Sequence, residues 1–181
     1  MSYEMRRKDR EVTSPDLLWK MINQGLVTHL ALLDAEGKLY STCLHYGVDR
    51  EHNRLYFHGA MKGRKAEAFA REPEVAFQIV AATEMAPNPR PDRVGYYMGI
   101  YASVMGTGKI RVVTDLTEKR KAIDLMHTRY KDVADYYSIK DETLDKVVNV
   151  HALEIAELTG KIKGYYNPDK PNARFMIVQD W

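Results

Sequence analysis

At 181 residues the chain matches about one domain of the common ~150-residue size and can bury a core without disulfide or metal staples. Hydrophobic residues make up 45% and charged residues 29%, which excludes a disordered chain, and 27 basic against 25 acidic residues leave a net charge of +2, too even for a bulk nucleic-acid binder. Cys43 is the single cysteine, so no intrachain disulfide forms and a reducing compartment fits.

In chain order, residues 1–11 are charged from the start and lack the apolar stretch of a secretory signal. No later run approaches the roughly 18 apolar residues of a membrane helix, and a cytoplasmic location is expected. Ser14 is an N-cap and Pro15 fits the first helical position; Leu17, Leu18 and Met21 form the apolar side of a helix that Gly25 ends. Residues 26–33 and 38–48 read as strands around a turn at 34–37, and a second turn at 49–53 leads to a third strand at 54–60. A short helix over 63–72 stops at Pro73. Residues 75–80 make a further strand, and residues 82–95, with Pro87, Pro89 and Pro91, an irregular loop. Residues 96–114 read as a strand pair or one bent strand, with Gly106 and Gly108 marking a bulge or corner. Asp115 and Glu118 predict a capping box for a helix carrying Leu116, Ala122, Ile123, Met126 and Tyr130 on one side. A weaker helix near Asp141–Val147 precedes a last strand over 148–158. From about residue 163 the chain carries Tyr165, Tyr166, Phe175 and Trp181, expected to pack on the body or on a partner subunit. No repeat or linker divides the sequence, so one domain over 1–181 is expected.

Six or so strands with short turns and a few peripheral helices predict a mainly β fold, a closed or nearly closed barrel with flanking helices rather than a doubly wound sheet. Several strands are apolar on both faces. In the second, Leu39 and Cys43 point one way while Tyr40, Leu44 and Tyr46 point the other, so a second subunit is expected to cover the outside.

Residues 55–69 carry the clearest chemical signal. A strand ends in a glycine-bearing turn, and a helix opens with Arg64 and Lys65, where the macrodipole favours acidic residues. A bound phosphate would remove that conflict, with Lys62 as a third cation and Gly63 allowing close approach. The pattern alone leaves a solvated basic face open. No Walker-type loop occurs, Gly106-Thr-Gly108 lacks a third glycine, and the six histidines have no metal-ligand spacing. His45 and His58 are candidate ligands on strand faces; His29, His52, His127 and His151 read as structural or solvated. Ser103 and Ser138 have no visible base partner, so a hydrolase lacks support.

Residues 5–12 (Met-Arg-Arg-Lys-Asp-Arg-Glu-Val), Leu55-Tyr-Phe-His58 with Gly63-Arg-Lys65, Tyr101-Ala-Ser-Val-Met-Gly106 and Leu158-Thr-Gly-Lys161 together resemble the nitroimidazole-resistance (Nim-type) branch of the pyridoxamine-5′-phosphate-oxidase-like FMN-binding split barrels. That resemblance implies a six-stranded split barrel, a homodimer and FMN in clefts between subunits. It places the strand Ser41, Thr42, Cys43 and Leu44 along the isoalloxazine ring, and His58, Lys62, Arg64 and Lys65 around the phosphate. It places Tyr101 and Ser103 beside the flavin. Ala102 stands where the family usually has Arg, and the substrate signature of true pyridoxamine-phosphate oxidases is missing, which disfavours vitamin B6 oxidation. The implied activity is reduction of a small aromatic or nitro compound, with no metal. His45, on the strand placed along the ring, is the candidate catalytic proton donor; the alternative is that it points into the barrel and simply donates a hydrogen bond. The electron donor, NAD(P)H or a protein, is encoded in no motif. Two alternatives stand beside this reading: a haem-handling or flavin-storage protein with His45 or His58 on iron, and, less favoured, a nucleic-acid-binding barrel.

Overall fold

The computed structural model describes residues 4–88, 95–131 and 139–164. After a 3-10 turn, Lys8–Arg10, come β1 (Glu11–Val12), α1 (Pro15–Gln24), β2 (Thr28–Leu33), β3 (Leu39–Leu44), β4 (Gly47–Asp49), β5 (Arg54–Gly59) and α2 (Arg64–Phe69). They are followed by β6 (Glu74–Pro87), β7 (Tyr97–Val112), α3 (Leu116–Tyr130), α4 (Asp141–Val147) and β8 (Asn149–Lys163). The sheet runs in the order β3-β2-β6-β7-β8-β5-β4, with β1 added to β8. The fold is the expected mainly antiparallel split barrel, with eight strands rather than six because β1 and the three-residue β4 are also paired.

Among the described residues the sheet is not closed by hydrogen bonds. Its two ends, β3 and β4, are nevertheless consecutive in the chain, separated only by His45 and Tyr46. Two linking residues span at most about 10 Å, so the chain itself draws the two ends together. The expected single strand over 38–48 is broken at this seam. Tyr46 is fully buried, and Gly47 lies so close to α3 that a Cβ would sit 3.0 Å from Met126 Cγ.

The chain forms two compact units, and β6, β7 and β8 contribute to both. The first comprises Met1–Leu26, Gln78–Met105 and Leu158–Trp181. In it Ser14 Oγ accepts from the Leu17 N–H at the start of α1, which buries Leu18, Trp19, Met21 and Ile22. β1 pairs with β8, Glu11 opposite Lys161 and Val12 opposite Gly160.

The second unit comprises Val27–Phe77 and Gly106–Glu157. Its β2–β3 hairpin runs from Thr28 opposite Leu44 to Leu33 opposite Leu39, and β5 pairs with both β4 and β8. α3 and α4 cover one face of β5 and β8 through a core of Tyr56, Ile123, Met126, Leu144, Val150 and Ala152. Gly106 and Gly108 mark close backbone approach: a Cβ at either would collide with the carbonyl oxygen of Glu157 or Glu154.

Two boundaries differ from expectation. The irregular segment expected over 82–95 is strand as far as Pro87, because proline is tolerated at a strand end, and residues 89–94 lie outside the described residues. The last strand runs on to Lys163 rather than stopping at 158. The aromatic residues Tyr165, Tyr166, Phe175 and Trp181, and Ser138, lie outside the described residues.

Candidate functional site

β5 buries Leu55, Tyr56 and Phe57 and leaves His58 exposed near its end. The chain then turns through Gly63, whose φ of +108° lies in the region L side chains rarely adopt, and enters α2. Arg64, the first residue of α2, is held by Asp34 through Nε at 2.9 Å and Nη2 at 2.8 Å, with its guanidinium 4.5 Å from the centre of the Tyr40 ring. Asp34 also accepts the backbone N–H groups of Lys38 and Glu36 at 2.9 Å each, so it fixes the β2–β3 turn as well. The Lys38 N–H first, then Arg64, hold its carboxyl below the usual carboxylate range. The charge conflict expected at the helix start is therefore met by Asp34 and does not itself call for a bound anion.

Lys65 stands differently. Its side chain folds over β5, with Nζ only 2.8 Å from where a Cβ on Gly59 would stand, so the absent side chain is what admits it. Among the described residues no carboxylate or other acceptor meets this ammonium, and burial lowers its pKa. Lys62 is exposed.

Imidazoles surround this lysine. Burial first, then Lys65, His127 and His45, hold the His58 pKa below the ordinary histidine value. On β8, His151 stands opposite Phe57, its ring edge-on to Phe69 at 4.9 Å. It is 1% exposed, its Nε2 has no hydrogen-bond partner, and burial, followed by Lys65, pushes its pKa down to about 4. His45 is exposed at the β3–β4 seam, edge-on to Tyr130 with ring centres 5.1 Å apart. Arg129 fixes that corner: Nε donates to Tyr130 Oη at 3.2 Å, and Nη2 donates to Tyr46 Oη at 3.1 Å. His127, His151, Arg129 and Tyr130 are thus neighbours of the site that sequence reading passed over. For His127 and Tyr130 the signal was present as an i, i+3 pair on α3. For His151 it lay in the β5–β8 register, which no local pattern encodes.

On β3, Ser41 and Cys43 point outward, and Thr42 and Leu44 are half-buried. The register aligns Ser41 with Ala31, Cys43 with His29, and Leu39 with Leu33. All six side chains are exposed and none is acidic or strongly basic, so they make an uncharged face on which a planar ring can lie. Tyr101 and Ser103 belong to β7 in the first unit; Tyr101 Oη accepts from Arg10 Nη1 at 3.2 Å, and Ser103 is buried. The side chains of Asp49, Glu51 and His52 bring their ligand atoms within 4.8 Å of one another, but Lys121 places its ammonium 2.6 Å from Asp49 and fills the place of a cation.

The sequence model described as pyridoxamine 5′-phosphate oxidase matches residues 14–162. The chain belongs to this family. No curated protein sequence matches it. Among solved structures of the same fold, a candidate 5-nitroimidazole antibiotic resistance protein from Bacteroides thetaiotaomicron is 23% identical, with 84% of this chain and 86% of that chain covered and a TM-score of 0.70. A FAD- and haem-binding protein from Mycobacterium smegmatis is 18% identical, with 90% and 78% covered and a TM-score of 0.71. A flavocytochrome from Azotobacter vinelandii is 14% identical, with 90% and 73% covered and a TM-score of 0.72. At these identities the likeness is one of fold.

The family's name raises the question of a flavin, and the residues present fit one. A half-buried ammonium that no carboxylate meets among the described residues, beside imidazoles whose pKa values burial and Lys65 lower, suits a terminal phosphate, and the outward face of β2–β3 suits a flat ring.

Proposed function

We propose that this protein binds FMN and reduces a small planar aromatic or nitro compound, as in the Nim-type branch. The observation that carries the reading is Lys65, a cation folded over Gly59 with no counter-ion among the described residues. Lys65 would hold the FMN phosphate, with His58 donating to it and Lys62 screening it from the exposed side. Arg64 contributes by orienting the turn through Asp34. Ser41, Thr42, Cys43 and Leu44 would line the ring. When bound, flavin supplies the electrons.

The test is a flavin titration. A charge-assisted contact contributes roughly 1.5–3 kcal/mol, so Lys65→Met should weaken FMN binding about ten- to a hundredfold and abolish any preference for FMN over riboflavin. Wild-type FMN affinity in that variant overturns the assignment. FAD, whose phosphates are internal, should bind more weakly than FMN if Lys65 reads a phosphate terminus.

His45 would give a proton from an imidazole N–H to the reduced acceptor, since nitro reduction consumes protons as well as electrons. Pre-reduced flavoprotein mixed with a nitroaromatic should reoxidise at least tenfold more slowly in His45→Gln at unchanged FMN affinity. An unchanged rate would make His45 a partner of Tyr130 only. A second reading, haem binding, is favoured by the exposure of both His45 and His58. Haemin added to the flavin-free protein would then give a Soret band near roughly 400 nm that His45→Gln or His58→Gln removes.

A further inference from the structure

Arg10, Tyr101 and Lys163 come near one another in the first unit from three separate elements: the turn before β1, the first half of β7 and the last residue of β8. Glu11 pairs with Lys161, so Arg10 and Lys163 both lie where that ladder ends. Arg10 Nη1 donates to Tyr101 Oη at 3.2 Å, and the hydroxyl keeps its own proton to give. Lys163 is half-buried. Burial and then Arg10 lower its pKa; Tyr101 opposes them weakly and Arg7 adds to them. Asp9 is the nearby carboxylate, but Arg7 claims it through Nε at 2.7 Å, and Arg10 comes no nearer to it than 3.8 Å. Among the described residues no carboxylate meets Lys163. Folding therefore brings two cations and a hydroxyl together at an electrostatic cost that an anion would repay.

We infer that Arg10, Lys163 and Tyr101 form a second anion site, which takes a phosphate monoester. Such a group carries close to two negative charges at neutral pH, which matches two cations, whereas a single carboxylate leaves one uncompensated. The guanidinium of Arg10 offers two parallel N–H groups, Lys163 a mobile ammonium, and Tyr101 an O–H. The site stands independently of the flavin reading.

The experiment is calorimetric titration of the full chain, with and without saturating FMN, using inorganic phosphate and phenyl phosphate as probes. With saturating FMN occupying the Lys65 site, phenyl phosphate should still bind at one site per chain, and more tightly than inorganic phosphate if the natural ligand is an organic monoester; the reverse order would point to free phosphate. Lys163→Met and Arg10→Gln should each weaken binding about ten- to a hundredfold while leaving FMN affinity unchanged. Lys163→Arg should restore most of it. In the wild-type protein, ring resonances of Tyr101, assigned through Tyr101→Phe, should shift on adding phosphate, a readout that needs no charge variant to fold. The inference is overturned if neither probe binds, if Lys163→Met keeps wild-type affinity, if Tyr101 does not respond, or if saturating FMN leaves no phosphate bound. That last outcome would make the cluster part of the flavin's own site. Failure of FMN to bind at all would sink the flavin reading and leave the phosphate titration standing.

Discussion

His151 is a polar side chain in an apolar place, opposite Phe57 and edge-on to Phe69 with Nε2 unsatisfied. Its pKa of about 4 in the folded chain lies below the ordinary value of about 6.5, so the unfolded chain binds the extra proton first. The stability tied to the neutral ring is complete above about pH 6.5 and is lost as the pH falls toward 4, at most roughly 3 kcal/mol in all. The lowered pKa of His58 acts in the same direction. Replacing His151 by Phe should flatten the dependence of urea-unfolding stability on pH across that window; an unchanged slope would clear His151 of the effect. His58 offers a complementary check on the proposed phosphate. A dianion at Lys65 reverses the field that His58 feels, so its titration midpoint, followed by NMR, should rise when FMN is added. A midpoint that stays put would place the phosphate elsewhere.

At the scale of elements, α3 shows what can and cannot be read locally. Asp115 caps the helix as expected, its Oδ1 accepting the Glu118 N–H at 2.8 Å. The Glu118 side chain, however, accepts from Arg111 at 2.5 and 3.1 Å and from Tyr56 Oη at 2.8 Å. Arg111 and Arg54 each donate in turn to Glu154, at 2.9 and 2.8 Å, so two arginines and two glutamates tie α3 to β5, β7 and β8. The cap was legible because its partners are three residues apart; the network was not, because Tyr56 and Glu118 are 62 positions apart. Glu118→Gln should lower unfolding free energy by about 1–3 kcal/mol, since it leaves arginines half-paired. An effect below about 0.5 kcal/mol in denaturant titration would show the network to be ornamental. Arg111 is the main reason the Glu118 carboxyl titrates low, so this contribution is present above about pH 4.3 and lost on acidification. The break between β3 and β4 was illegible for the same kind of reason: the apolar alternation runs on through Tyr46, and the close approach of Gly47 to Met126 and Leu125 on α3 is distant in sequence.

At the scale of the whole molecule, the barrel class was readable from the count of short strands and the turn residues between them. The site was readable in part: Lys65 and His58 do come together, whereas the supporting His127 and His151 depend on pairings distant in sequence. We also propose a homodimer: beside Ser41 and Cys43, where the ring would lie, the outward face carries His29, Ala31, Leu33 and Leu39, which a second copy would cover. A stable interface buries more than about 1,000 Å², so sedimentation at micromolar concentration should show a dimer that Leu39→Glu with Ala31→Glu converts to a monomer. A wild-type monomer with flavin fully bound would refute it. The seam at His45 and Tyr46 carries a mechanical consequence. The junctions between neighbouring strands in the sheet order are ladders of weak bonds, which shear and re-form; between the two sheet ends the described residues show no such ladder, and the covalent backbone through His45 and Tyr46 joins them. A proteolytic nick at this one link, or a few inserted glycines, would let the two sheet ends part while leaving every ladder intact. It would free His45, the proposed proton donor, from its post against Tyr130 without unfolding the chain around it.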